Sequence, residues 1–185
     1  MTNTLKVKLL SDDATLPKRN HDTDAGYDIY ASETKVLEPQ DKAIIQTDVA
    51  VDIPKGYVGL LTSRSGVSSK TSLVIETGKI DSGFRNGMGI NIKNDEQRLD
   101  WETIQNNERL EKNYEQPLVY DIKGEKIDNG NPFEVARGKK YQINKGDRIA
   151  QLVIVPIFTG EVELVDDFEE ETARGTKGFG SSGTR

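Results

Sequence analysis

The chain has 185 residues, enough for one domain with a core of its own, and it lacks cysteine, which excludes disulfides, thiolate metal sites and cysteine nucleophiles together. Its 31 acidic and 25 basic residues give a net charge of −6, which argues against a general duplex-binding surface and so against direct DNA binding. The longest apolar run, residues 149–158, is broken by Gln151 and Pro156 and is too short to cross a bilayer. No charged-then-apolar leader opens the chain, so a cytoplasmic protein with no membrane partner is expected.

In chain order, short strands are predicted over residues 5–10, 43–53, 57–62, 72–76 and 89–93, and strand character returns at 141–144 and 149–157. Turn formers separate them at 38–41, 54–56 and 83–87, and no core-type helix is expected before Asn94. The predicted fold is all-β, a sandwich or barrel. Residues 95–115 break the pattern: Trp101, Ile104 and Leu110 are sparse apolar points in a polar run, which reads as a surface helix or a partly ordered loop. Trp101 either covers the β body or meets a partner. Turn signals within 120–131 predict a short hairpin. Residues 95–140 are therefore read as an insertion into a body formed by 1–94 and 141–160, with 161–185 as a C-terminal arm.

Five clusters carry possible chemistry. In the first, Asp28 follows the small-residue turn before a strand and is either an edge residue or a functional carboxylate. In the second, Arg64, Ser65 and Gly66 together can present a guanidinium, a hydroxyl and backbone N–H groups to one anion. In the third, Asp81 follows Ile80, which predicts a partly desolvated carboxylate suited to a general base, with Phe84 in the turn beyond it. In the fourth, Gln151 interrupts an apolar strand. An unpaired buried amide costs about 1–3 kcal/mol, so Gln151 either bonds neighbouring backbone or reaches a ligand.

The fifth is the tail, RGTKGFGSSG at residues 174–183. Its glycines let backbone wrap a ligand, Arg174 and Lys177 bring positive charge, Ser181 and Ser182 bring hydroxyls, and Phe179 offers one aromatic face beside Gly180. It follows seven acidic residues within 161–171, an abrupt change of sign, and reads as either a frayed end or a grip for a nucleotide. Four lone residues suggest less: His21 is read as a surface residue, Tyr27 and Tyr30 as packing, and Met88 as filler of a hairpin.

AGYDIYA (25–31), SRSG (63–66), TGKIDSGF (77–84), KGDRIAQLVI (145–154) and RGTKGFGSSG (174–183) occur in the order and approximate spacing of the five motifs of the homotrimeric dUTPase family. The chain resembles that family from about Leu5 to Gly183, apart from the insertion, which is similar to one in phage-encoded members from Gram-positive hosts. The resemblance implies a jelly-roll-like β-barrel or sandwich and hydrolysis of dUTP to dUMP and pyrophosphate with Mg²⁺, limiting uracil in DNA and supplying dUMP for dTMP synthesis. By similarity, Asp81 deprotonates the attacking water, and Asp28 holds the metal site through water. Arg64, Ser65, Gly66 and Gln151 contact the phosphates.

The same resemblance implies that the hairpin at 75–91 reads uracil, with Gly78, Ile80, Phe84 and Gly89 as its contacts, that Phe179 stacks on the base, and that Arg174, Gly180, Ser181 and Ser182 close the lid. Phe84 stands where the family usually has tyrosine; the ring that excludes a 2′-hydroxyl remains, so discrimination against UTP is expected to survive. The resemblance further implies a homotrimer with sites shared between subunits, in the host cytoplasm for a phage enzyme. Two alternatives follow from the same likeness: a regulatory trimer that binds a repressor protein, and a dCTP deaminase relative.

Overall fold

The computed structural model describes residues 4–98, 119–128 and 138–168, together with Gly175. The strands run β1 (Lys6–Leu9), β2 (Gly26–Tyr30), β3 (Lys35–Leu37), β4 (Lys42–Gln46), β5 (Val49–Asp52) and β6 (Tyr57–Ser63), then a helical turn α1 (Ser65–Ser68). They continue as β7 (Leu73–Ile75), β8 (Gly78–Ile80), β9 (Gly89–Asn94), β10 (Val119–Tyr120), β11 (Lys126–Asp128), β12 (Lys140–Ile143) and β13 (Arg148–Pro156). These form four sheets, β1-β5, β4-β9-β7, β2-β13-β6-β8 and β11-β10-β12-β3. The fold is all-β, as the turn spacing predicts.

Alternation sets the faces. In β9, Ile90 and Ile92 are buried while Gly89 and Asn91 are exposed, the period of a half-buried strand. Ile45, Ile90 and Ile92 from this sheet share one core with Ile29, Leu61 and Leu152 from the sheet centred on β13. Each such side chain contributes about 1.5–3 kcal/mol by leaving water. The nine-residue β13 pairs antiparallel with β2 on one side and β6 on the other. That placement matters for function, because Gln151 lies opposite both Asp28 and Thr62.

Four expectations are corrected or refined. The single strand read over 43–53 is two, split where Asp48 adopts a φ of 52°. Here the buried Thr47 hydroxyl donates to the Met88 carbonyl at 2.7 Å. Met88 is not hairpin filler but a core residue, 1% exposed. The expectation of no core-type helix before Asn94 is refined by α1, a single turn of four residues. Strands β3 and β8 were not foreseen as separate elements, being three residues each and too short to show a period.

The hairpin expected within 120–131 is present as β10 and β11, and β10 also pairs in parallel with β12, so this part of the predicted insertion lies in one sheet with β12 and β3. Val119 and Ile122 are buried there. Trp101, Ile104 and Leu110 lie outside the described residues. No helix among the described residues is long and apolar enough to cross a membrane.

Candidate active site

Residues opposite one another in a sheet share a face, and those two apart along a strand share it too. Asp28, Gln151 and Thr62 are such a row, and Tyr30 and Arg64 lie two residues farther along β2 and just past the end of β6. This face points away from the core defined by Ile29, Leu61 and Leu152, yet Asp28 is only 8% exposed. Its cover is polar: Arg64 donates from Nε to Oδ1 at 2.7 Å, Arg148 from Nη1 to Oδ2 at 3.1 Å, and Asn20 from Nδ2 to Oδ2 at 3.3 Å. Arg64 also donates to the Arg148 carbonyl at 3.1 Å. Two guanidiniums and one carboxylate thus form one network with an excess of positive charge.

The network depends on a bulge. Between Arg148 and Ala150 the register of β13 against β2 slips, and Ile149 and Ala150 are both fully buried, which breaks strict alternation. Residues 148 and 151 are three apart and would otherwise face opposite sides. The extra residue re-aims Arg148 toward Asp28 while Gln151 keeps its place, a known use of bulges beside functional sites. Tyr30, buried beneath, has its phenol pKa raised, first by burial and then by the Asp28 carboxylate.

Gln151 resolves one of the open readings: its Nε2 donates to the Ser63 carbonyl at 3.2 Å, so it bonds neighbouring backbone. The amide fits against β2 because residue 26 is glycine, where a Cβ would meet Oε1 at 2.8 Å. One N–H of the amide remains for another acceptor. Beside this face, a cleft of about 400 Å³ is lined by Arg64, Gly66, Tyr30, Arg148 and their neighbours. Ser65 and Gly66 are exposed in α1.

Asp81 is elsewhere. Ile80, the residue before it, pairs with Gly59 on β6, five residues from Arg64. At about 3.3 Å per residue this puts Asp81 roughly 17 Å or more from Arg64. Asp81 is exposed, so the desolvation expected from its position after Ile80 is not supplied within the protomer: Ile80 turns into the core, and Asp81 leaves the strand for solvent. Its carboxylate makes no hydrogen bond or ion pair among the described residues. Phe84, 40% exposed, sits at this same end, its amide donating to the Asp81 carbonyl at 3.0 Å. Gly78 lies opposite Leu61, and Gly89 leaves space that the Ile44 side chain occupies. His21 is exposed, Tyr27 stacks under Arg19 at 5.3 Å, and Arg174, Phe179, Gly180, Ser181 and Ser182 lie outside the described residues.

A family model described as dUTPase matches residues 12–110 and 133–183. The chain belongs to the dUTPase family. It is 34% identical to the deoxyuridine 5′-triphosphate nucleotidohydrolase of Mycobacterium marinum over 99% of this chain and 97% of that protein. It is 58% identical, with a TM-score of 0.85 over 98% of this chain and 99% of the other, to a Tyr-to-Phe variant of the Staphylococcus bacteriophage 80alpha dUTPase solved with dUpNHpp, one of the phage dUTPases described as controlling transfer of virulence genes by a proto-oncogenic G protein-like mechanism. An Asp-to-Asn variant of the dUTPase from phage phi11 of S. aureus, described as revealing the coordination of a structural Mg(II) ion, is 57% identical with a TM-score of 0.78 over 91% of this chain and all of that one. The stretch that the family model leaves unmatched, 111–132, falls inside the predicted insertion.

The dUTPase family implies Mg²⁺, and the donor set limits how it is held. No three His, Cys, Asp or Glu side chains converge among the described residues. A carboxylate has about four lone-pair directions, and Asp28 uses three of them on Arg64, Arg148 and Asn20. The remaining one, on Oδ1, leaves room for one further contact. Sequence reading missed Arg148 and Asn20. Arg148 stands in the same cluster as Gln151, but only the bulge brings it to this face.

Proposed function

We propose that this chain hydrolyses dUTP to dUMP and pyrophosphate, with Mg²⁺ as cofactor, in a homotrimer whose sites each combine residues from different protomers. The observation that carries the proposal is the separation along β6: Asp81 stands at one end and Arg64 at the other. Water activation and phosphate binding by one chain therefore cannot meet on one triphosphate, whereas the Asp81 end of one copy facing the Arg64 end of another completes the set.

In that arrangement Arg64, Ser65 and Gly66 bind the phosphate chain, and the free N–H of Gln151 donates to it. Asp81 orients a water and takes its proton as the water attacks the α-phosphorus, and pyrophosphate leaves. Mg²⁺ would supply charge neutralisation on the triphosphate, and Asp28 would help to hold it through a water. The hairpin around β8 reads uracil by backbone groups; sterics exclude the 5-methyl of thymine, and mismatched donors and acceptors reject cytosine, the stronger of the two rules. The tail residues Arg174, Phe179, Gly180, Ser181 and Ser182 close over the nucleotide.

The arm leading to the tail supports this reading: Phe158, Val162, Leu164 and Phe168 are 91, 99, 97 and 85% exposed, apolar surface that a second protomer covers. The test is pyrophosphate release from dUTP, dTTP, dCTP and UTP with and without Mg²⁺. Release from dUTP alone, and only with the metal, is expected. Ammonia from dCTP instead would place the chain with the deaminases. A regulatory role is supported by the description of the bacteriophage 80alpha relative, and a repressor protein as partner is compatible with hydrolysis. Retention of a repressor by the immobilised chain, and its release by dUpNHpp, is the result that reading requires.

A further inference from the structure

The cleft beside Arg64 is built partly by the insertion. Ile122, in the turn between β10 and β11, belongs to the buried core, and the next residue but one, Gly124, has a φ of 77° and rests on the backbone that follows α1. A Cβ at residue 124 would meet the Lys70 carbonyl at 2.5 Å, so the turn tip is seated against the chain leaving the Arg64–Gly66 loop. The Asp121 carboxylate accepts from the backbone N–H groups of Lys123 and Glu125 at 2.8 and 2.9 Å and fixes the turn. Lys123 is thus held between a buried neighbour and a close backbone contact, and it lines the cleft of about 400 Å³.

The other walls carry Lys18, Arg64, Lys70 and Arg148, against one acid among the described lining residues, Asp147. Arg64 and Arg148 are engaged by Asp28, whereas Lys18, Lys70 and Lys123 form no salt bridge among the described residues. In a protein of net charge −6, three such lysines around one concavity that already holds Arg64 and Gly66 mark a place for a polyanion.

We infer that the β10–β11 turn is part of the nucleotide site, with Lys123, helped by Lys70, receiving the terminal phosphates of the substrate and then the pyrophosphate product. The inserted segment is thereby coupled to whether the phosphate end of the site is filled. This rests on the reading of Arg64 as a phosphate contact.

The experiment measures, on the full-length chain, KM for dUTP, inhibition by pyrophosphate and inhibition by dUMP for K123A, K123R and R64A. K123A is expected to raise KM and the pyrophosphate inhibition constant roughly fivefold, the size of one partly exposed ion pair, and to leave dUMP inhibition unchanged, because dUMP lacks the outer phosphates. K123R is expected to restore both. Unchanged pyrophosphate inhibition in K123A overturns the inference, as does an equal loss for dUMP, which would signal a general disturbance. Full activity in R64A would instead defeat the underlying reading of the site.

Discussion

The two ends of β6 are built differently. At the Arg64 end, Asp28, Arg64, Arg148 and Asn20 hold one another inside a single protomer, and Gln151 is tied to the Ser63 carbonyl. At the Asp81 end, the carboxylate is exposed and makes no hydrogen bond or ion pair among the described residues, and Phe84 is 40% exposed. On the proposed reading, binding charge is preorganised by the fold of one chain, and Asp81, as the reactive carboxylate, gains its surroundings from another. Preorganised donors are costly to leave loose, since each lost orientation raises the barrier. A carboxylate that must accept a proton gains from burial only when the substrate is present.

The largest expected effect on this contrast comes from the tail. Removing residues 172–185 should lower kcat/KM on the order of 100-fold, the scale of a misplaced reacting group, while size-exclusion chromatography still shows a folded trimer. Retention of most of the turnover would show that the open end needs no lid.

Next is the polar end. Asp28→Ala leaves Arg64 and Arg148 facing each other without their shared anion, and should cost about 2–3 kcal/mol, the penalty for a broken, partly buried pair. The denaturant midpoint measures it. An unchanged midpoint would mean that the network is solvated and stores no stability.

The smallest effect is at Phe84. Phe84→Tyr should change the ratio of kcat/KM for dUTP over UTP by less than about threefold, because ring bulk excludes the 2′-hydroxyl, whereas Phe84→Ala should collapse the ratio by tenfold or more. A large gain from the tyrosine would assign the discrimination to its phenol oxygen.

Much of this was legible in the sequence. The strands at β6, β9 and β13 announce themselves because each is long enough to show its period or its apolar run. Asp28, Arg64, Asp81 and Gln151 stand in short motifs whose chemistry is readable. What was not legible depends on contacts between distant segments. Met88 reads as filler until Thr47 is seen to cap its carbonyl. Arg148 joins the site only through a one-residue slip of register, which no composition records. The exposure of Asp81 was misjudged because the side chain before it in sequence, Ile80, points into the core and gives it no cover. Val162, Leu164 and Phe168 of the arm stand among the acids of 161–171, and their exposure shows no period that a sequence could record.

The central claim is that Asp81 of one protomer serves the Arg64 of another, and mixing two inactive variants tests it most directly. Asp81→Asn and Arg64→Ala proteins, each assayed alone, should hydrolyse dUTP at a small fraction of the normal rate. After dissociation and reassembly together, about a quarter of the sites should draw an intact Asp81 and an intact Arg64 from different chains by random assortment, and activity should return to a comparable fraction. If reassembled mixed trimers form but remain as inactive as the separate variants, the two residues act within one chain and the account of a divided site is wrong.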